Sequence, residues 1–143
     1  MGARAMQTIR LTPEDVIPEQ EHTLAHGTVP VVLSLSAYDI PKSVSADLQG
    51  GQLRITFNYV DNEESVARPA DHDLTVLVGK NSGKVLGFVV KSDARKPREI
   101  TVRIVQGVDE QLRRAALRPN QRLNYRLIRR VVESKLELLL TPS

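Results

Sequence analysis

A chain of 143 residues, 41% apolar and 26% charged, has the length and balance of one ordinary folded domain, able to bury a core without covalent staples. It contains no cysteine, which excludes disulfides, a thiolate nucleophile and cysteine-ligated zinc or iron–sulfur centres. The net charge is only +3, yet residues 1–73 hold 5 Lys/Arg against 11 Asp/Glu, a balance of −6, while residues 74–143 hold 15 against 6, a balance of +9. Such asymmetry implies a basic surface that meets nucleic acid, another subunit or the chain's own acidic half.

Residues 1–30 read as an irregular or short-helical arm. Thr12 followed by Pro13, Glu14 and Asp15 has the pattern of a helix start, Pro18 interrupts it, and Gly27 closes a second short turn. The segment MGARAMQTIR lacks the apolar stretch of a secretory signal, and no run comes near the roughly 18 apolar residues of a membrane span. A soluble, cytoplasmic protein without membrane contact is expected.

Residues 31–106 read as β-rich. A first strand is expected at 31–36, where Val31, Leu33 and Leu35 alternate, ending at the break from Asp39 to Pro41. The clearest strand is LRITFNY, with Leu53, Ile55, Phe57 and Tyr59 on one face and Arg54, Thr56 and Asn58 on the other, the signature of a sheet with one wet side. The stretch from Asp61 to Asp73, with Pro69 inside it, reads as a polar loop. LTVLVGK and KVLGFVVKS read as two further strands, and EITVRIVQG as a last one, alternating at Ile100, Val102 and Ile104.

Beyond Gly107 the period changes. A short helix is expected at 109–117 and a longer one from Pro119 or Asn120, with Leu123, Leu127, Ile128, Val131, Val132 and Leu136 on one stripe. The sum is a single α+β domain over residues 1–143: an antiparallel sheet of about four to five strands, then helices over residues 108–140 packed on one face. Connections between the strands are too short or too polar for the crossover helices of a parallel sheet.

The stretch VLVGKNSGKVLGFVV superficially suggests a phosphate-binding loop. Only three residues separate Gly79 from Gly83, Lys84 is followed by Val85 rather than Ser or Thr, and a strand rather than a helix comes next. Asn81, Ser82 and Gly83 are instead hairpin chemistry, with Gly83 free to take a positive φ, and Gly87 in mid-strand marks a bulge or a close contact.

No catalytic residue and no cofactor is assigned. His22 and His26, four apart near Glu19 and Glu21, are weak candidates for a divalent metal, with no third ligand placed by spacing. His72 lies between Asp71 and Asp73 in ordinary loop surroundings, no serine has a nucleophile-elbow context, and Glu63 and Glu64 read as solvated. The informative feature is the arginine series of the last helix. Arg122, Arg126 and Arg129 fall on one helical face beside Arg130, preceded by Arg113, Arg114 and Arg118. Leu136, Leu138, Leu139 and Leu140 then form a leucine-rich end, destined for the core or for a second copy in a two-fold dimer. The sequence thus suggests a small, soluble, cofactor-free binding or interaction module that self-associates as a homodimer. The alternative is a nucleic-acid-binding protein, or a binder of an acidic protein, using the arginine-rich helix.

Overall fold

The computed structural model describes residues 7–12, 40–71, 73–91 and 96–140. Within them lie six strands: β1 (Gln7–Arg10), β2 (Ser43–Gln49), β3 (Gln52–Asn58), β4 (Ser65–Asp71), β5 (Leu74–Gly79) and β6 (Val85–Lys91). Helix α1 (Pro97–Arg114) and helix α2 (Pro119–Val131) follow, and α2 continues through a π-helical turn (Val132–Leu136) into α3 (Glu137–Leu140). All strand pairs are antiparallel, in the order β1-β2-β3-β6-β5-β4, and the class is α+β as expected.

The register puts one apolar row across the sheet. Ala46 faces Ile55, Ile55 faces Phe88, and Phe88 faces Val76. These side chains form one buried cluster with Ile104 and Val108 of α1 and with Ile128, Val131 and Val132 of α2 and the turn after it. Phe57 and Phe88 meet edge to face at 5.9 Å. On the opposite face, at the β1–β3 end, polar side chains pair: Thr8 bonds Ser45, and the Asn58 amide donates to Ser43 and Ser45. The alternation of β3 is what forms: Leu53, Ile55 and Phe57 are buried, while Arg54 is exposed and Thr56 and Asn58 are half-buried.

Several expected elements need correction or lie elsewhere. The strand expected at 31–36 and the short helices of the arm lie outside the described residues. The strand expected around Ile100, Val102 and Ile104 is the first half of α1, so coiled backbone begins at Pro97, ten residues before Gly107. Ile100 and Ile104 are four apart, a spacing that serves both a period of two and a helix face; Thr101 and Val108 complete the buried helical stripe. Val102, which a strand would turn inward, is 47% exposed. The helix expected at 109–117 is the end of the same α1.

Three strands pass unnoticed in the sequence: β1 lies within the arm expected to be irregular or short-helical, β4 within the stretch from Asp61 to Asp73 expected to be a polar loop, and β2 just before the clearest strand. β2 and β3 are joined by Gly50 and Gly51, both at positive φ, with Gln49 opposite Gln52, a two-residue hairpin whose Gly-Gly signal is plain once the polar SVSADLQ is accepted as a strand. β4 is an edge strand whose residues 65–69 are all exposed, so no buried row marks it. The bond from the Lys80 N–H to the Glu64 carbonyl sets the alternation of the ladder, and by it the position of Pro69 faces outward, where no ladder donor is needed.

Both interior glycines are contact points. In the β5–β6 ladder Leu77 faces Gly87 but Val78 faces Val85, so Leu86 is the extra residue of a bulge. A Cβ on Gly87 would lie 2.3 Å from the Ile55 carbonyl oxygen. Gly107 is no boundary: it lies inside α1, where a Cβ would come within 2.4 Å of the Leu74 side chain, and the bare backbone lets the helix approach the sheet.

Candidate nucleic-acid interface

Helix α2 starts where the sequence suggests. Arg118 is extended, Pro119 takes the first helical position, and Gln121 reaches back so that its Oε1 accepts the Arg118 N–H at 3.0 Å. The Gln121 Nε2 donates to the Ser82 carbonyl at 3.1 Å, tying the helix start to the β5–β6 turn. Of the expected apolar stripe, Leu127, Ile128, Val131, Val132 and Leu136 are buried and Leu123 is half-buried.

A residue that sequence reading passed over sets the rotation of this helix. Asn124 is 1% exposed. Its Oδ1 accepts the Val85 N–H at 2.8 Å, next to the bulge, its Nδ2 donates to the Tyr59 hydroxyl at 2.9 Å, and that hydroxyl donates to the Val85 carbonyl at 2.8 Å. Residues two positions either side of Asn124 are rotated about 200° from it around the helix axis, so Arg122 and Arg126 point away from the sheet. Both are exposed, as are Arg118 and Arg130.

The arginines of this series are not equivalent. Arg129 Nε donates to Asp109 Oδ1 at 2.7 Å and its Nη1 to Glu133 at 2.8 Å, so its charge is neutralised by α1 and by its own helix. The hydrogen bond to Asp109, with the charges of Glu133 and Asp109, outweighs partial burial and holds its pKa above the usual arginine value. Arg113 and Arg114 are likewise both bonded to Glu110. Arg118, Arg122, Arg126 and Arg130 make no ion pair among the described residues, and α2 contains no acidic residue.

At the Arg118 end of this row, Ser82, Lys84, Arg118, Pro119, Asn120 and Gln121 line a cleft of about 450 Å³. The Lys84 ammonium is set 4.6 Å from the centroid of the Tyr59 ring. The neighbouring hairpin tip does cradle an anion, one belonging to the chain itself. Glu63 Oε1 accepts the backbone N–H groups of Asn81 (2.9 Å) and Ser82 (3.0 Å), and Oε2 accepts the Ser82 hydroxyl (2.6 Å). The expectation that Glu63 is merely solvated is corrected: burial raises its pKa, but the bonds from Ser82 and Asn81 and the charge of Lys84 together bring it below the usual value. Gly83 at φ +74° closes the plain hairpin that the turn chemistry indicates.

His22, His26 and His72 lie outside the described residues. Among the described residues no group of three or more acidic or histidine side chains is placed to hold a metal, and no helix is long and apolar enough to cross a membrane. Of the leucine-rich end, Leu136 and Leu139 are in the core, Leu140 packs against it, and Leu138 is 67% exposed. Matched against protein-family models, curated proteins and solved structures, the chain finds no counterpart in any of the three.

Proposed function

We propose that this protein is a nucleic-acid-binding module that meets phosphates with Arg118, Arg122, Arg126 and Arg130. The observation that carries the reading is the division among its arginines: Arg113, Arg114 and Arg129 are engaged by carboxylates, whereas these four stand exposed along an acid-free helix. A guanidinium donates in a planar fork that matches phosphate oxygens, and each contact releases counterions from the polyanion. The test is a fluorescence-anisotropy titration of labelled DNA and RNA at low salt. Wild type binds, and Arg122→Glu with Arg126→Glu abolishes binding while circular dichroism stays unchanged. Wild type that fails to bind either nucleic acid at low salt ends the proposal.

Self-association is the second reading, favoured by Leu138 standing exposed while Leu136 and Leu139 of the leucine run are buried. Light scattering tests it. A monomer at every accessible concentration removes it, and a dimer lost on Leu138→Glu supports it.

A further inference from the structure

We infer that the partner is duplex nucleic acid, held through its backbone and without sequence preference, an inference that rests on the nucleic-acid reading above. Single strands are gripped by aromatic rings on which bases stack. The rings that the structure describes, Phe57, Tyr59, Phe88 and Tyr125, are all committed to the core at 4% exposure or less. Adenine edges are read by side-chain amides, and guanine edges by an arginine or lysine turned from the phosphates into the groove. The amide in the middle of the arginine helix, that of Asn124, is turned inward onto Val85 and Tyr59, and that of Gln121 is bonded to Ser82 and Arg118. Asn120 is exposed, at the end of the row rather than between the guanidinium groups. What remains outward along the helix is positive charge.

The dimensions suit a duplex. From Arg118 to Arg130 the helix rises about 18 Å at about 1.5 Å per residue. The major groove is about 12 Å wide. The two ends of the row therefore reach phosphates on opposite strands, and the side chains of Arg122 and Arg126 extend from between them to the phosphates flanking the groove.

The experiment titrates the full chain against an AT-rich duplex, a GC-rich duplex and an oligo-dT of equal length, with heparin as a non-nucleic polyanion, at several salt concentrations. The two duplexes bind within about threefold of each other, where base readout separates them by about tenfold or more. Oligo-dT binds at least tenfold more weakly. Four phosphate contacts give a log–log salt slope of about −3.6, a loss of about 150-fold between 50 and 200 mM salt, and Arg122→Gln or Arg126→Gln each shallows the slope by about 0.9. Arg113→Gln leaves it unchanged. Oligo-dT bound as tightly as duplex, or a tenfold preference between duplexes, overturns the inference and leaves the nucleic-acid reading standing. Binding to heparin alone, or to nothing, overturns both.

Discussion

The side-chain amide of Asn124 and the hydroxyl of Tyr59, 65 residues apart in the chain, meet at 2.9 Å in the interior and close a three-cornered net through both backbone groups of Val85. This contact locks α2 to β6 and to the residue just past β3. Replacing Asn124 by Leu keeps the branched outline but deprives the buried Val85 N–H of its acceptor. The expected loss is about 2–4 kcal/mol, from buried polar groups stripped of their partner. Urea unfolding measures it as a lower midpoint at unchanged slope. Tyr59→Phe removes the hydroxyl from the same net, and the two substitutions together cost less than their sum, because neighbours in one network are not independent.

The two interior glycines respond differently to alanine. At Gly87 the new methyl meets the Ile55 carbonyl oxygen, a backbone atom in the middle of the sheet that cannot move aside. Gly87→Ala therefore costs about 2 kcal/mol or more, as overpacking does. At Gly107 it meets only the end of the Leu74 side chain, and alanine recovers about 1 kcal/mol of helix propensity. Thermal unfolding is expected to show a drop of several degrees for Gly87→Ala and a much smaller change for Gly107→Ala. Equal effects contradict the assignment of one contact to backbone and the other to side chain.

Glu63 confers an acid-sensitive contribution on the β5–β6 turn. Its native pKa lies below the unfolded value, so the unfolded chain takes up the proton first as pH falls. The contribution is therefore complete above the ordinary carboxylate range and disappears as pH drops through the native value. Glu63→Gln is expected to be less stable than wild type at pH 7, with the gap narrowing below about pH 4.5. Urea midpoints for both proteins from pH 7 to pH 3 provide the check, and a gap that widens toward low pH contradicts the sign.

Arg103 of α1 and Asp73 at the β4–β5 turn form an ion pair at 2.7 Å, with side chains only 28% and 13% exposed. Removing one member strands a partly desolvated charge, and Asp73→Asn is expected to cost about 1–3 kcal/mol. The pair of Lys80 and Glu64, 3.5 Å apart on the surface, contrasts with it. Lys80→Ala is expected to change stability by less than about 0.5 kcal/mol, with the difference erased by salt. Denaturant midpoints at low and high salt distinguish the two.

What the sequence determined by itself is what repeats over short distances. The alternation of β3, the turn at Asn81, Ser82 and Gly83, the apolar stripe of α2 and the start of that helix at Pro119 are all readable, because each is decided by neighbours within a few residues. Where local periods coincide, sequence is silent: Ile100 and Ile104 satisfy a strand and a helix equally, and only the exposure of Val102 and the burial of Thr101 and Val108 separate the two. An edge strand such as β4 has no buried row to announce it.

The arginines show the same division. Their placement on one helical face follows from spacing, but which of them keeps its charge available does not. That was decided by Asp109, twenty residues before Arg129 and brought beside it by the packing of α1 on α2, and by Asn124, whose partners on β6 and just past β3 turn the arginine row outward. Charge pairing and the burial of a polar amide depend on distances in space between residues far apart along the chain, and only the folded arrangement sets those.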